Sequence, residues 1–114
     1  MRAQPMTWPF AFIVTLLVEV PVYIAALTLV TGIRVRPAVA MSVAVNAVSH
    51  PLLWFVIVPA LGAGLSAVLA AEALVLAGEA IALMAVLRRD RLVLAAAALV
   101  ANGLSFAVGV ALQR

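Results

Sequence analysis

Four apolar runs, Trp8 to Thr31, Pro37 to Val58, Leu65 to Leu87 and Leu92 to Leu112, fill nearly all of this 114-residue chain. Each has roughly the 20 residues that a helix needs to cross about 30 Å of hydrocarbon. The expected fold class is therefore all-α: one integral membrane four-helix bundle occupying residues 1–114 as a single domain. Composition agrees, because 68% hydrophobic residues and 10% charged ones leave too little polar surface for a domain dissolved in water. A cleaved signal peptide is the rival reading of the first run, but Glu19 and Pro21 interrupt what would be its apolar segment.

With no cysteine in the chain, disulfides, thiolate metal sites and covalent haem attachment are excluded. The sequence pI near 11.2 raises the question of nucleic acid. Every arginine, however, stands at the end of a run rather than on a basic face, so no nucleic-acid partner is expected. The arginines read instead as an orientation signal. Arg34, Arg36, Arg88, Arg89 and Arg91 fall in the 32–36 and 88–91 loops, whereas the opposite side carries only Arg2 and Arg114. The positive-inside rule then predicts cytoplasmic 32–36 and 88–91 loops, with both termini outside a bacterial-type inner membrane. Trp8 and Trp54 fall on that outer side, where interfacial aromatics belong.

Punctuation marks the run ends. Gly32 suits a left-handed cap after the first run, Pro37 fits the first turn of the second, and Val58-Pro59 with Gly62 and Gly64 makes a turn into the third. Asp90 stands where a cap for the fourth helix is expected. Pro21 and Pro51 each release a carbonyl inside a helix.

Polar residues recur in an order that suggests an internal repeat. LVEVPVYIAAL (17–27) aligns with AGEAIALMAVL (77–87), matching Glu19 to Glu79. VNAVS (45–49) aligns with ANGLS (101–105), matching Asn46 to Asn102 and Ser49 to Ser105. Two helical hairpins arranged as tandem parallel repeats would produce this pattern.

Glu19, Asn46, Glu79 and Asn102 fall near the middle of their runs, with His50 and Glu72 displaced toward the outer side. Ser42, Asn46, Ser49 and His50 form one stripe of the second helix; Thr15, Glu19 and Tyr23 form one of the first. Glu72 and Glu79 share a face of the third helix, about 10 Å apart along its axis. Asn102, Ser105 and Gly109 share a face of the fourth. Ionisable groups at membrane depth belong in a bundle interior or an aqueous cavity, so all four stripes are expected to point inward. Three Glu and one His then share an interior that holds no Arg or Lys, and charge balance calls for protons or a cation from outside the protein.

Glu19, Glu72, Glu79 and His50 are the resulting proton- or cation-binding residues, with Tyr23, Asn46, Ser49, Asn102 and Ser105 as polar support. If a metal binds, Glu19, His50 and Glu79 are its candidate ligands; the identity of any cofactor is left open. No phosphate loop, nucleophile elbow or HExxH motif points to an enzyme.

Chain length, four spans and Glu19 within LLVEV resemble the small multidrug resistance exporters. Glu72, Glu79 and His50-Pro51 depart from that pattern, and no residue role is carried over. Proton- or cation-linked transport leads the functional expectations. A non-catalytic subunit of a larger membrane complex comes next, then a membrane metal or cofactor protein. Besides the lipid bilayer, the expected partners are copies of the chain itself or the other subunits of such a complex.

Overall fold

The computed structural model describes residues 7–62 and 64–112, and these form helices joined by short turns. Four helices, α1 (Trp8–Val30), α2 (Val35–Leu61), α3 (Leu65–Leu87) and α4 (Arg91–Leu112), are each long and apolar enough to cross a membrane. Arg2 and Arg114, which the orientation argument weighs on the lighter side, lie outside the described residues.

The punctuation works largely as its chemistry demands. Pro9 sits in the first turn of α1, where its missing N–H costs no hydrogen bond. Gly32 leaves that helix at φ 74°, a conformation that a side chain would resist. At the end of α3, Arg88 takes the left-handed position at φ 56° without being glycine. Asp90 stands before α4 at φ 53°, and it is its backbone carbonyl that accepts the amide of Leu94, at 2.9 Å. Its carboxylate stands 3.8 Å from Nε of Arg89.

The second helix begins two residues before Pro37, and its other end departs further from the sequence expectation. The second helix does not stop at Val58 but runs through Pro59 to Leu61. A single π-helical segment over Leu53–Ile57 precedes the proline and widens the helix there. Pro59 cannot donate to the carbonyl four residues back and its ring crowds that position, so a wider turn lets the helix continue past it. A second π segment, Ala26–Val30, ends α1.

The helices pack in cyclic order, α1 on α2, α2 on α3, α3 on α4 and α4 back on α1. Short connections between successive helices make this an up-down-up-down bundle. One half of it, toward the arginine-bearing turns, is filled by Tyr23, Leu27, Ala38, Ala80, Leu83, Leu94, Ala97, Ala98 and Ala101. The alanines let backbones approach closely, as small residues do between membrane helices. Arg89 fastens the two turns together by donating from Nη2 to the carbonyl of Thr31 at 2.9 Å.

Outside that closed half, most large apolar side chains cover the exterior. Leu17, Leu29 and Leu92 are 71%, 82% and 85% exposed, while Glu19, Asn46, Glu79 and Asn102 are buried. This inside-out distribution matches what lipid as solvent requires and what water would penalise.

Candidate functional site

The four polar stripes converge on the bundle interior. Glu79 on α3 is their hub, because a donor reaches it from each of the other three helices. Tyr23 Oη of α1 donates to its Oε1 at 2.5 Å, and Asn102 Nδ2 of α4 donates to the same oxygen at 3.0 Å. Ser49 Oγ of α2 donates to its Oε2 at 2.6 Å. The Tyr23 bond crosses the diagonal of the bundle, joining two helices that are not neighbours in its cyclic order. Sequence spacing links Tyr23 to Glu19, its neighbour one turn away on the same stripe. The phenol instead passes that carboxylate and reaches across.

Glu19 is as deeply buried as Glu79, each being 2% exposed, but it is less well served. Ser105 Oγ donates to its Oε2 at 2.6 Å, while its Oε1 has no hydrogen-bond partner among the described residues. Ser49 with Glu79 and Ser105 with Glu19 form equivalent bonds between α2 and α3 and between α4 and α1. Asn46 and Asn102 also match in part, each donating from Nδ2 to the carbonyl four residues back, at 2.8 Å to Ser42 and 2.9 Å to Ala98. Only Asn102 makes a further bond to a carboxylate, and Oδ1 of Asn46 is left without a partner among the described residues.

These groups line a cavity of about 440 Å³ that contains Glu19, Glu72 and Glu79 together with Asn46, Asn102 and both serines. Its lining includes the exposed Leu65 and Val110, at the end of the bundle away from the arginine-bearing turns. All three carboxylates belong to the lining of this one cavity. Among the described residues the one ion pair is that of Arg89 and Asp90, so none of the three is answered by a base there. Glu72 is the most open of them, half-buried in the cavity wall.

His50 lies on the cavity wall within a group of rings. Its imidazole is 5.3 Å from Phe12 and 6.2 Å from Trp54, centroid to centroid, and Trp8 stacks on Phe12 at 5.3 Å. The indole of Trp8 donates from Nε1 to His50 Nδ1 at 3.0 Å. Because an indole only donates, Nδ1 must be bare, which leaves the ring neutral with its hydrogen on Nε2. That nitrogen faces Thr15 Oγ1 at 3.1 Å. Both ring nitrogens are therefore engaged by side chains. Neither Thr15 nor Trp8 is among the site residues expected from sequence. The position of Thr15 on the Glu19 stripe is the signal for the first, and the outer-side placement shared by Trp8 and His50 for the second.

The proposed metal ligands Glu19, His50 and Glu79 do not gather around one point. Among the described residues no three His, Asp or Glu side chains are grouped to hold a metal ion. What the arrangement can do is hold a proton or a cationic group against buried carboxylates, with hydroxyl and amide donors fixing the geometry of one of them. No protein-family model, curated protein or solved structure matches the chain.

Proposed function

We propose that this chain is a small multi-pass membrane protein that carries out proton- or cation-linked transport, with Glu79 and Glu19 as the exchanging carboxylates. One observation carries the reading: two carboxylates buried in an apolar bundle have no base to answer them among the described residues and line a shared cavity. An ionised side chain at membrane depth costs about 2.5–3.5 kcal/mol on insertion scales, so such groups persist where they hold something mobile. The three donors around Glu79 keep that carboxylate in place through an exchange cycle, and Glu72 offers a station nearer the cavity mouth. His50 stands beside this path with its neutral ring held by Trp8 and Thr15.

The equivalent serine–glutamate bonds support a two-hairpin repeat whose units run the same way through the membrane and share a pseudo-two-fold axis along its normal. The arginine distribution supports cytoplasmic 32–36 and 88–91 loops, which directs the cavity mouth outward. Four helices enclose little space, and the apolar outer faces leave room for assembly into a homo-oligomer within the bilayer.

Reconstitution into proteoliposomes with a pH gradient tests the reading. The wild-type protein should dissipate the gradient, and Glu79→Gln should abolish that flux. Undiminished flux through Glu79→Gln protein would remove the proposed role.

A further inference from the structure

The end of the bundle that carries the two arginine-bearing turns takes no part in the carboxylate cavity. Arg34, Arg36, Arg88, Arg89 and Arg91 stand there, and all five are exposed. Asp90 is the one acid of the chain outside the four spans, and its carboxylate lies 3.8 Å from Nε of Arg89. Arg89 also donates to the Thr31 carbonyl. Among the described residues, Arg34, Arg36, Arg88 and Arg91 make no ion pair. Positive charge is thus left unanswered at one end of an apolar molecule.

The Arg89–Thr31 bond holds these charges together. Arg34 follows Thr31 by three residues while Arg88 and Arg91 flank Arg89, so guanidinium groups from both turns ride on one tied platform. Large apolar side chains are exposed beside them: Val30 next to Thr31, Val35 next to Arg34 and Leu92 next to Arg91. A partner that satisfies both must join an anionic head to an apolar tail. A dissolved anion offers only the first.

The choice of base narrows the head group. An orientation signal accepts lysine and arginine alike, yet all seven Lys-or-Arg positions of this chain are arginine. Arginine presents a planar fork that takes two phosphate oxygens at once, whereas lysine is a point charge. Position 88 repeats the point. It holds φ 56°, where glycine would sit without strain, so backbone geometry gives arginine no advantage there.

We propose that this end of the bundle binds an anionic phospholipid, its phosphate held by Arg34, Arg88 and Arg91 across the two turns and its acyl chains lying on Val35 and Leu92. Such a lipid bridges the turns a second time, beside the Arg89–Thr31 bond. The site is separate from the carboxylate cavity and stands whether or not the chain moves protons.

Native mass spectrometry of the full-length protein in detergent tests this, with phosphatidylglycerol and phosphatidylcholine of identical acyl chains as probes. Phosphatidylglycerol should bind at least about tenfold more tightly, since its phosphate carries no attached cation. Arg34→Gln, Arg91→Gln and Arg88→Gly should each weaken that binding about fivefold, the share of one arginine beside an anionic lipid, while Arg2→Gln should leave it unchanged. Arg88→Gly separates the site from the fold, because affinity should fall while the turn loses strain. A triple variant, Arg34→Lys with Arg88→Lys and Arg91→Lys, keeps every charge and should still weaken binding at least about threefold through loss of the forks. Each change falls on an exposed residue; circular dichroism identifies any variant that does not fold, and the others then decide.

Equal binding of the two lipids, wild-type affinity in any folded single variant of the site, or an equal loss from Arg2→Gln would overturn the proposal, because charge would then act without a site. Wild-type affinity in the lysine variant would overturn it too, leaving the arginines as an orientation signal. Displacement of phosphatidylglycerol by glycerol phosphate at equal concentration would overturn the lipid as the ligand.

Discussion

The two halves of this bundle are made from much the same residues and pack in opposite ways. Toward the arginine-bearing turns, alanines on α2, α3 and α4 let the helices close on Tyr23, Leu27, Leu83 and Leu94. Toward the other end the helices stand around a cavity of about 440 Å³. Overall hydrophobicity does not set this difference, because all four spans are strongly apolar. What separates the halves is where small residues face one another and where carboxylates hold the helices by hydrogen bonds. Glu79 stands at the junction, and its three donors draw on every other helix.

The largest effect should come from removing that junction. Glu79→Ala leaves Tyr23, Ser49 and Asn102 without their shared acceptor and opens a gap beside the cavity. An unpaired buried polar group costs about 1–3 kcal/mol, although hydroxyls can turn to other acceptors. A loss on the order of 3 kcal/mol is expected, measured as denaturant-induced unfolding in detergent. A loss below about 1 kcal/mol would mean that the halves are held independently and that the hub joins nothing.

The next test sets the halves directly against each other. Ala98 is fully buried among the closed-half residues, so Ala98→Leu should overpack the contact and cost about 2 kcal/mol. Gly109 lines the cavity, and a methyl group added there meets no atom within 4 Å. Gly109→Ala should be neutral or stabilising by up to about 1 kcal/mol, through helix propensity. Similar losses from the two variants would show that the cavity half closes in solution.

Much of this arrangement is legible in the sequence because run length and helical periodicity follow a strict code. Four apolar runs of spanning length leave few alternatives, and polar residues at i, i+4 and i+7 must share one face of a helix. Glu19, Asn46, Glu79 and Asn102 are therefore legible as interior residues. Their partners are not, since helical periodicity gives the face of a residue and not how far its side chain reaches across the bundle. Tyr23 shows this: it lies one turn from Glu19 yet bonds to Glu79 on the opposite helix. The end of α2 is hidden for a different reason. Pro59 signals a stop by its chemistry, and the π segment that lets the helix continue leaves no clear mark in the residue string. The pairing of Trp8 with His50 is masked because an interfacial tryptophan already has a sufficient reason for its position.

The smallest expected effect concerns how the closed half is sealed. Arg88 ends α3 in the left-handed conformation at φ 56°, which costs a residue with a Cβ roughly 1–2 kcal/mol. Glycine takes that position without the penalty but loses more chain entropy on folding, so Arg88→Gly should stabilise the protein by about 0.5 kcal/mol. Arg34, Arg36, Arg89 and Arg91 still stand at that end of the bundle. Arg89 retains its bond to the Thr31 carbonyl, so the link between the two turns stays in place. A thermal midpoint in detergent that rises slightly would show that the turn carries relievable strain. A midpoint that falls would mean that the Arg88 side chain itself helps to seal this end, and the closed half would then owe its tightness to more than the alanines beneath it.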